Sequence, residues 1–276
     1  MLIAQLTDLH VRPLGVAADR VSETNMLTDR AFRAVMALDP RPDVVLITGD
    51  LTECGRPDEY AVLKQLLRRH IRVPVFFIPG NHDRRENLIE HLPGARHNDG
   101  FVQYAIDDYP VRIVMLDTVV PGAGHGELCS RRLSWLERTL REQPERPTLI
   151  GMHHPPFTTG IAHMDRIDLQ DRQAFHEVLS RHSQVRLILC GHVHRPITAL
   201  LGSAVVCCGP SVAHQVELDL HPEAPGQFRM EPPAYLLHHF SAAGGFVTHM
   251  AYVESFPGPY PFLTESDYPG TTQLPR

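Results

Sequence analysis

The 276-residue sequence lacks both the long apolar runs of a membrane protein and the cysteine pattern of a disulfide-linked one. No apolar run approaches the ~20 residues that a membrane-spanning helix requires, so no membrane partner is expected. The first ten residues, MLIAQLTDLH, have neither a basic start nor a long apolar segment. They predict a strand rather than a signal peptide, and we expect a cytoplasmic protein. The five cysteines are an odd number without CxxC spacing, which argues against a disulfide framework or a structural zinc site.

An excess of positive charge and the motifs of several hydrolase classes are also missing. The formal net charge is -6 and no Lys/Arg run supplies a basic groove, so no nucleic-acid polymer is expected as a partner. No G-x-S-x-G elbow supports serine-hydrolase chemistry. HEVLS (176–180) has Ser180 where a zincin needs its second histidine, and GAGHGE (122–127) lacks the Lys-Ser/Thr of a phosphate-binding loop.

Short apolar runs alternate with amphipathic segments through most of the chain, and this alternation predicts an α/β fold with largely buried strands. Hydrophobic content of 43% and charged content of 21% are ordinary for a globular protein. Strands are predicted over 2–6, 43–50, 73–78, 148–153 and 185–192, with helices over 24–38, 58–69, 130–142 and 169–182 and a hairpin over 101–106 and 111–117.

The chain is predicted to form one catalytic domain over 1–253, followed by a Pro/Gly-rich tail over 254–276. The domain becomes strand-rich from about residue 196, with strands expected over 197–202, 203–209, 234–240 and 245–253. The tail is too rich in proline for a helix, yet it carries Phe256, Tyr260, Phe262, Leu263 and Tyr268. Because exposed apolar surface is costly, we expect it to pack over the active-site mouth or against another subunit; a disordered terminus is the alternative.

Polar residues follow the apolar runs at several points, and many of them are histidines, of which the chain has 18. In open α/β sheets, ligand sites gather beyond the carboxyl ends of the strands. Glycines beside these residues let the backbone turn sharply. The stretches are Asp8-Leu9-His10, Gly49-Asp50, Gly80-Asn81-His82-Asp83, His153-His154-Pro155 and Gly191-His192-Val193-His194.

The spacing within these stretches indicates a metal centre. Residues i and i+2 of an extended segment point to the same side, so Asp8 and His10 can reach one ion together. The adjacent His153 and His154 should point apart, so only one is a direct ligand and His154 is expected to orient its neighbours. Two carboxylates, one amide and several imidazoles are too many for one tetrahedral zinc. They suit two divalent ions bridged by a carboxylate, a positively charged site for a phosphoryl group. The mixed ligand set admits Fe, Mn, Zn or Co.

D-x-H, GD, GNHD, HHP and GHVH, in this order over residues 8–194, resemble the calcineurin-like metallophosphoesterase superfamily. GDLTECGRPDEY (49–60) and SVAHQV (211–216) resemble its bacterial glycerophosphodiester and cyclic-nucleotide phosphodiesterase branch. The resemblance implies a sandwich of two mixed β-sheets flanked by helices, with the active site at the carboxyl ends of the strands. Protein phosphatases of this superfamily have an arginine just before their GNH motif and a GDYVDRG stretch. Here Pro79 precedes GNHD and GDLTECG replaces GDYVDRG, which argues against a phosphoprotein phosphatase.

The resemblance also implies a role for each matching position. The first metal would be held by Asp8, His10 and His194, and the second by Asn81, His153 and His192, with Asp50 bridging both. Asn81, His82 and His214 would contact the substrate, and His82 would protonate the departing alkoxide.

The expected activity is hydrolysis of small phosphodiesters, namely glycerophosphodiesters or 3′,5′-cyclic nucleotides, by a hydroxide that bridges two divalent ions. The expected partners are the small substrate and further copies of the chain in a homo-oligomer. A phosphomonoesterase, a nuclease of the same superfamily and a non-catalytic metal-binding scaffold stay open as alternatives. Arg84 and Arg85 are predicted to begin a solvated helix rather than touch the substrate, and His238 and His239 to serve packing or an interface rather than a metal.

Overall fold

The computed structural model describes residues 1–92 and 94–263. Thirteen strands and six helices are assigned within those residues. The strands are β1 (Leu2–Leu6), β2 (Val44–Thr48), β3 (Val75–Ile78), β4 (Tyr104–Ile106), β5 (Arg112–Met115), β6 (Thr148–Gly151), β7 (Val185–Cys190), β8 (Ile197–Leu201), β9 (Ala204–Cys208), β10 (Gln215–Val216), β11 (Phe228–Arg229), β12 (Ala234–Ser241) and β13 (Gly245–Tyr252). The helices are α1 (Thr24–Met36), α2 (Pro57–His70), α3 (Arg85–His91), α4 (Ser130–Glu142), α5 (Ala162–Asp165) and α6 (Arg172–Ser180).

Two mixed sheets form a sandwich. The first sheet has the order β13-β12-β1-β2-β3, in which β1, β2 and β3 are parallel and β12 and β13 antiparallel. The second has the order β4-β5-β6-β7-β9-β8, with a parallel centre and antiparallel edge strands β4 and β8. A small ribbon of β10 and β11 stands apart. The predicted fold class is therefore confirmed.

The central strands are apolar along their whole length because both of their faces are covered. Every residue of β2 (VVLIT) is buried. One buried cluster joins the first sheet to α1 and α2, through residues such as Phe32 and Tyr60. A second joins the other sheet to α4 and α6, through Leu136 and Phe175. Helices thus lie outside the sandwich. The parallel strands of each sheet run side by side, so their carboxyl ends lie together.

Most predicted elements are present, with shifted ends. The hairpin is confirmed as β4 and β5. The helix predicted over 169–182 begins only at Arg172, since Asp171 before it has a left-handed φ of 50°. The sequence pattern predicts no complete helix at α3 or α5 and no strand at β10 or β11, although the structure has these elements. These elements have two to seven residues, too few to show a hydrophobic period.

The C-terminal part of the described chain exposes apolar side chains. Strand β13 is an edge strand, and Val247, Met250 and Tyr252 on it are exposed. Phe256 and Phe262 are exposed as well, so the described part of the predicted tail does not bury them within one chain. Tyr268 and the rest of 264–276 lie outside the described residues. No helix of the described part is long and apolar enough to span a membrane.

Candidate metal centre

The candidate ligands are presented by sharp turns at the ends of β1, β2 and β7. Non-glycine residues rarely adopt positive φ, and such strain clusters at functional sites. Gly80 has another reason to be glycine, because an added Cβ would lie 2.2 Å from the Asp50 carboxylate. The candidate ligands with positive φ are Asp8 (53°), His10 (48°), Asp50 (47°), His192 (70°) and His194 (54°).

One group of side chains closes around the predicted first metal position. Asp8, His10, Asp50 and His194 are all buried, and one ligand atom of each lies within 4.8 Å of the others. The Nε2 atoms of His10 and His194 are 3.1 Å apart. Asp8 is 3.4 Å from Nε2 of His194, and Asp50 is 3.7 Å from Nε2 of His10. The two sheets together supply these four residues.

The second group shares Asp50 with the first. The amide oxygen of Asn81 lies 3.2 Å from Nε2 of His153 and 2.9 Å from Nδ1 of His192. Oδ2 of Asp50 is 3.3 Å from Nε2 of His153. Asp50 therefore contacts members of both groups, as a bridging ligand must. All seven residues predicted as metal ligands converge at one edge of the sandwich.

The hydrogen bonds of the histidines show that this donor set fits a cation. Nδ1 of His10 donates to the Glu53 carboxylate at 2.7 Å, and Nδ1 of His194 donates to the carbonyl of His214 at 2.9 Å. In the neutral rings each Nε2 then carries a lone pair, and the two lone pairs face each other beside two carboxylates. Such an electron-rich cluster requires a positive charge among its members.

A proton competes for the same place. Burial lowers the pKa of His153, but the Asp50 and Asp8 carboxylates and the Thr48 carbonyl together outweigh burial and raise that pKa to about 9. The pKa of Asp50 falls well below its usual value because His153 and His82 outweigh its burial. Burial and the neighbouring His153 lower the pKa of His192 to about 3. The raised pKa of His153 favours a proton at the centre at neutral pH, and a metal bound there would have to displace it.

His82 lies at the rim of the centre, where its side chain is 37% exposed. Its main-chain N–H donates to Asp50 at 2.9 Å, and its Nδ1 donates to the carbonyl of Glu53 at 2.8 Å. Burial lowers the pKa of His82, but Asp50 and Glu53 raise it further, so the net shift is upward. The upward shift favours the protonated ring, in which Nε2 carries a proton as well as Nδ1.

Glu53 and Asp83 are residues of the centre that the sequence analysis did not assign. Glu53 holds His10 with its carboxylate and His82 with its carbonyl. Asp83 accepts main-chain N–H groups of Leu51 and Gly80, both at 2.9 Å, and so ties the loop after β2 to the loop after β3. Both residues stand inside motifs quoted above, but only the three-dimensional structure reveals their partners.

The two remaining histidines take different places. Nδ1 of His154 is 2.8 Å from the Thr118 hydroxyl and its Nε2 is 3.1 Å from the carbonyl of Gly124, so both nitrogens have protein partners. Its ring nevertheless packs 4.6 Å from that of His192, which suits the predicted orienting role. The ring of His214 lies 4.9 Å from that of His194, at the edge of the first metal position.

The predictions for two other pairs have different outcomes. Arg85 does not lie in solvent as expected: its side chain is 13% exposed and pairs with the buried Asp117 at 2.6 Å, which holds α3 against the second sheet. Arg84 is exposed. His238 is buried and donates to Gln5 at 3.1 Å, while His239 is exposed, so the structure confirms packing at the first of these.

Two cavities differ in what lines them. A cleft of about 430 Å³ borders the centre and is lined by Glu53, Cys54, Asn81, His82 and the loop 122–124, among others. A larger cavity of about 640 Å³ lies elsewhere, between β8–β9 and β12–β13. No candidate metal ligand is among the described residues that line the larger cavity, so size alone does not identify the site.

Comparison with known proteins identifies the family of the chain. A probable glycerophosphodiester phosphodiesterase GpdQ of Arcobacter nitrofigilis is 37% identical over 269 residues, covering 96% of this chain and 98% of its own. A 3′,5′-cyclic adenosine monophosphate phosphodiesterase CpdA of Vibrio vulnificus is 31% identical over 77% of both chains. A dimetal phosphatase from Danio rerio shares the fold, with a TM-score of 0.63 and 16% identity over 92% of this chain and 99% of its own. The model of the calcineurin-like phosphoesterase family matches residues 1–196, and the chain belongs to that family.

Proposed function

We propose that the chain is a binuclear metal-dependent phosphodiesterase acting on small phosphodiesters. The observation that carries the proposal is the convergence of two ligand groups that share Asp50. In this proposal the first ion is held by Asp8, His10 and His194, and the second by Asn81, His153 and His192. Asp50 contributes to both.

The ions, once bound, would act as Lewis acids on the phosphoryl oxygens and make water nucleophilic near neutral pH. The chain's own residues complete the chemistry. Asn81, a member of the second ligand group, and its neighbour His82 border the cleft, where they would hold the phosphoryl group. The Nδ1 of His82 is engaged by the Glu53 carbonyl, so its Nε2 is the atom that would give a proton to the departing alcohol. His214 would contact the substrate at the edge of the first metal position.

The substrate class is inferred from the relatives and from the cleft. The relatives are named for glycerophosphodiesters and for 3′,5′-cyclic nucleotides. A cleft of about 430 Å³ is of the size that small-molecule sites have, and the net charge of -6 disfavours a nucleic-acid polymer. We propose these small diesters as substrates and the cytoplasm as the place of the reaction.

A homo-oligomer is part of the proposal. The exposed apolar side chains of Val247 and Met250 continue along the chain to those of Phe256, Tyr260 and Phe262. Exposed apolar side chains on an edge strand and on the segment that follows it form a surface that an interaction would remove from water. A second copy of the chain that covers it would bury both surfaces at once, because a two-fold interface uses the same patch twice.

The experiment that tests the proposed activity is a substrate panel on metal-free protein reloaded with Fe, Mn, Zn or Co. The panel contains a glycerophosphodiester, a 3′,5′-cyclic nucleotide, a phosphomonoester and single-stranded DNA. We expect turnover of one or both small diesters, two ions per chain and loss of activity on chelation. Turnover of the monoester or the DNA alone would contradict the proposal, and two bound ions with no turnover of any substrate would indicate a scaffold.

A further inference from the structure

The side chain of Gln5 links the two sheets directly below the metal centre. Gln5 lies in β1 and is only 1% exposed. Its Nε2 donates to Oγ1 of Thr48 at 3.0 Å and to the main-chain carbonyl of Cys190 at 2.9 Å. Thr48 ends β2 in the same sheet, whereas Cys190 ends β7 in the opposite sheet. One amide group therefore spans the interior of the sandwich at this point.

Both anchor residues stand immediately before candidate ligands. Thr48 is two residues before Asp50, and Cys190 is two residues before His192. The carbonyl of Thr48 also accepts the Nδ1–H of His153 at 2.8 Å. The anchors of the amide are thus tied by short chain segments or a hydrogen bond to most of the ligands proposed for the second ion.

The orientation of the amide is itself fixed from the far side. Nε2 of His238, in β12, donates to Oε1 of Gln5 at 3.1 Å, and the hydroxyl of Thr248, in β13, lies 2.9 Å from Nδ1 of His238. Because the carbonyl of Cys190 can only accept, the amide nitrogen of Gln5 faces the other sheet and the amide oxygen faces His238. The ring of His238 then donates at Nε2 and accepts at Nδ1. Gln5 consequently has one orientation in which all these partners are satisfied.

The sheets approach each other closely here. A Cβ on Gly191 would lie 2.1 Å from Oγ1 of Thr7, and a Cβ on Gly209 would lie 3.2 Å from Nε2 of Gln5. An apolar side chain would fill this space without specifying one distance, because hydrophobic contact is non-directional. Hydrogen bonds to both sheets constrain distance and direction together. The crossing point is therefore built for a defined separation.

We propose that Gln5 is a positioning residue that fixes the separation and register of the two sheets beneath the second ion, an inference that rests on the proposed function. The first sheet supplies Asp50 and Asn81, and the second supplies His153 and His192. The second ion is held well only if the sheets keep one distance. The first ion depends less on Gln5, because the first sheet alone supplies three of its proposed ligands, Asp8, His10 and Asp50, and the second sheet supplies only His194.

The test replaces Gln5 by methionine, which is similar in volume and cannot donate, and measures metal binding by calorimetry. Gln184→Met is the matched control: Gln184 is also buried and donates to the carbonyl of Leu140 at 2.9 Å, but it precedes the opposite end of β7. Residues that orient metal ligands from outside typically change metal affinity about 10–100-fold. We expect Gln5→Met to weaken the second ion by that factor and the first ion by less. We expect Gln184→Met to leave both affinities unchanged. The difference in metal affinity between the two variants should persist even if their metal-free forms melt at the same temperature, because it then reflects positioning rather than stability.

Activity gives a second readout. A positioning defect is relieved by added metal, so Gln5→Met should regain most of the wild-type kcat as the metal concentration rises. Wild-type affinity for both ions in Gln5→Met, or equal weakening in Gln184→Met, would overturn the inference. Should Gln5→Met fail to fold, His238→Met leaves Gln5 in place and removes the hydrogen bond to its Oε1, together with the contact to Thr248. Unchanged affinity for the second ion in that variant would overturn the inference as well. Failure of the proposed function is distinguishable, because wild-type protein would then bind fewer than two ions or hydrolyse no diester.

Discussion

The ligand-bearing edge of the sandwich and its flank between β8–β9 and β12–β13 differ in almost every physical respect. The edge is lined by carboxylates and imidazoles, several with positive φ, and its cleft has about 430 Å³. The flank has a larger cavity of about 640 Å³, lined mainly by apolar residues such as Ile197, Leu236 and Phe246. Strained backbone and perturbed pKa values, rather than cavity volume, therefore distinguish the candidate metal centre. The flank carries no candidate metal ligand among the described residues that line its cavity.

The largest effect is expected from Asp50→Asn, which removes a charge and a shared ligand together. Metal content should fall below two ions per chain, and diesterase activity should drop by orders of magnitude. Metal analysis with a diester assay measures both. Met250→Gln, a change on the flank, is the control and should alter neither. Full activity with two ions in Asp50→Asn would contradict the bridging assignment.

His82→Ala separates the proton donor from the ligands at the same edge. We expect both ions to stay bound while kcat falls by about 10²–10⁴, the contribution typical of an acid–base group. The loss should shrink for p-nitrophenyl diesters, whose leaving group needs little protonation. Rate assays on good and poor leaving groups measure this, with the exposed His239→Ala as control. An equal loss on both substrates would mean that His82 acts on the phosphate charge instead.

Metal affinity should weaken as the pH falls. The pKa of His153 is raised to about 9 in the metal-free protein, so its proton is present at pH 7 and must leave when a metal binds. Each displaced proton lowers the affinity about tenfold per pH unit below that pKa, and the dependence should level off above it. Calorimetry in buffers of different ionisation enthalpy counts the protons released. A flat pH profile with no proton release would refute the proposed competition.

The smallest effect on activity, yet a large one on mass, is expected from the flank. Deleting 254–276 should reduce the number of subunits in the oligomer, measured as its mass by light scattering, and leave the metal-loaded activity unchanged. Val247→Lys with Met250→Lys should do the same without shortening the chain, because both side chains are exposed on β13. A broader substrate range in the truncated protein would indicate a lid instead. Unchanged mass in both variants would refute the proposed interface.

The sequence predicted the fold and the proposed ligands because both rest on local patterns. Apolar runs such as VVLIT of β2 are visible as strands, and the polar residues after them mark where the strands end. Arg85 was misplaced, because its partner Asp117 is distant in sequence and the ion pair exists only after folding. The roles of Glu53 and Gln5 were hidden for the same reason. Their types are ordinary, and only their contacts with His10, Thr48 and Cys190 distinguish them.

The carboxylate of Asp83 has a consequence for which ions can enter. It accepts the N–H groups of Leu51, Thr52 and Gly80 and the hydroxyl of Tyr60 at 2.8–3.1 Å, so the two loops after β2 and β3 move as one body. Asp50 and Asn81 belong to those loops and therefore keep a nearly constant spacing. A rigid spacing accepts a narrow range of ionic radii, whereas Ca²⁺ needs more and longer oxygen contacts. We expect the centre to discriminate by size, binding Mn²⁺ more tightly than Ca²⁺ in a direct titration, and to lose that discrimination in Asp83→Ala.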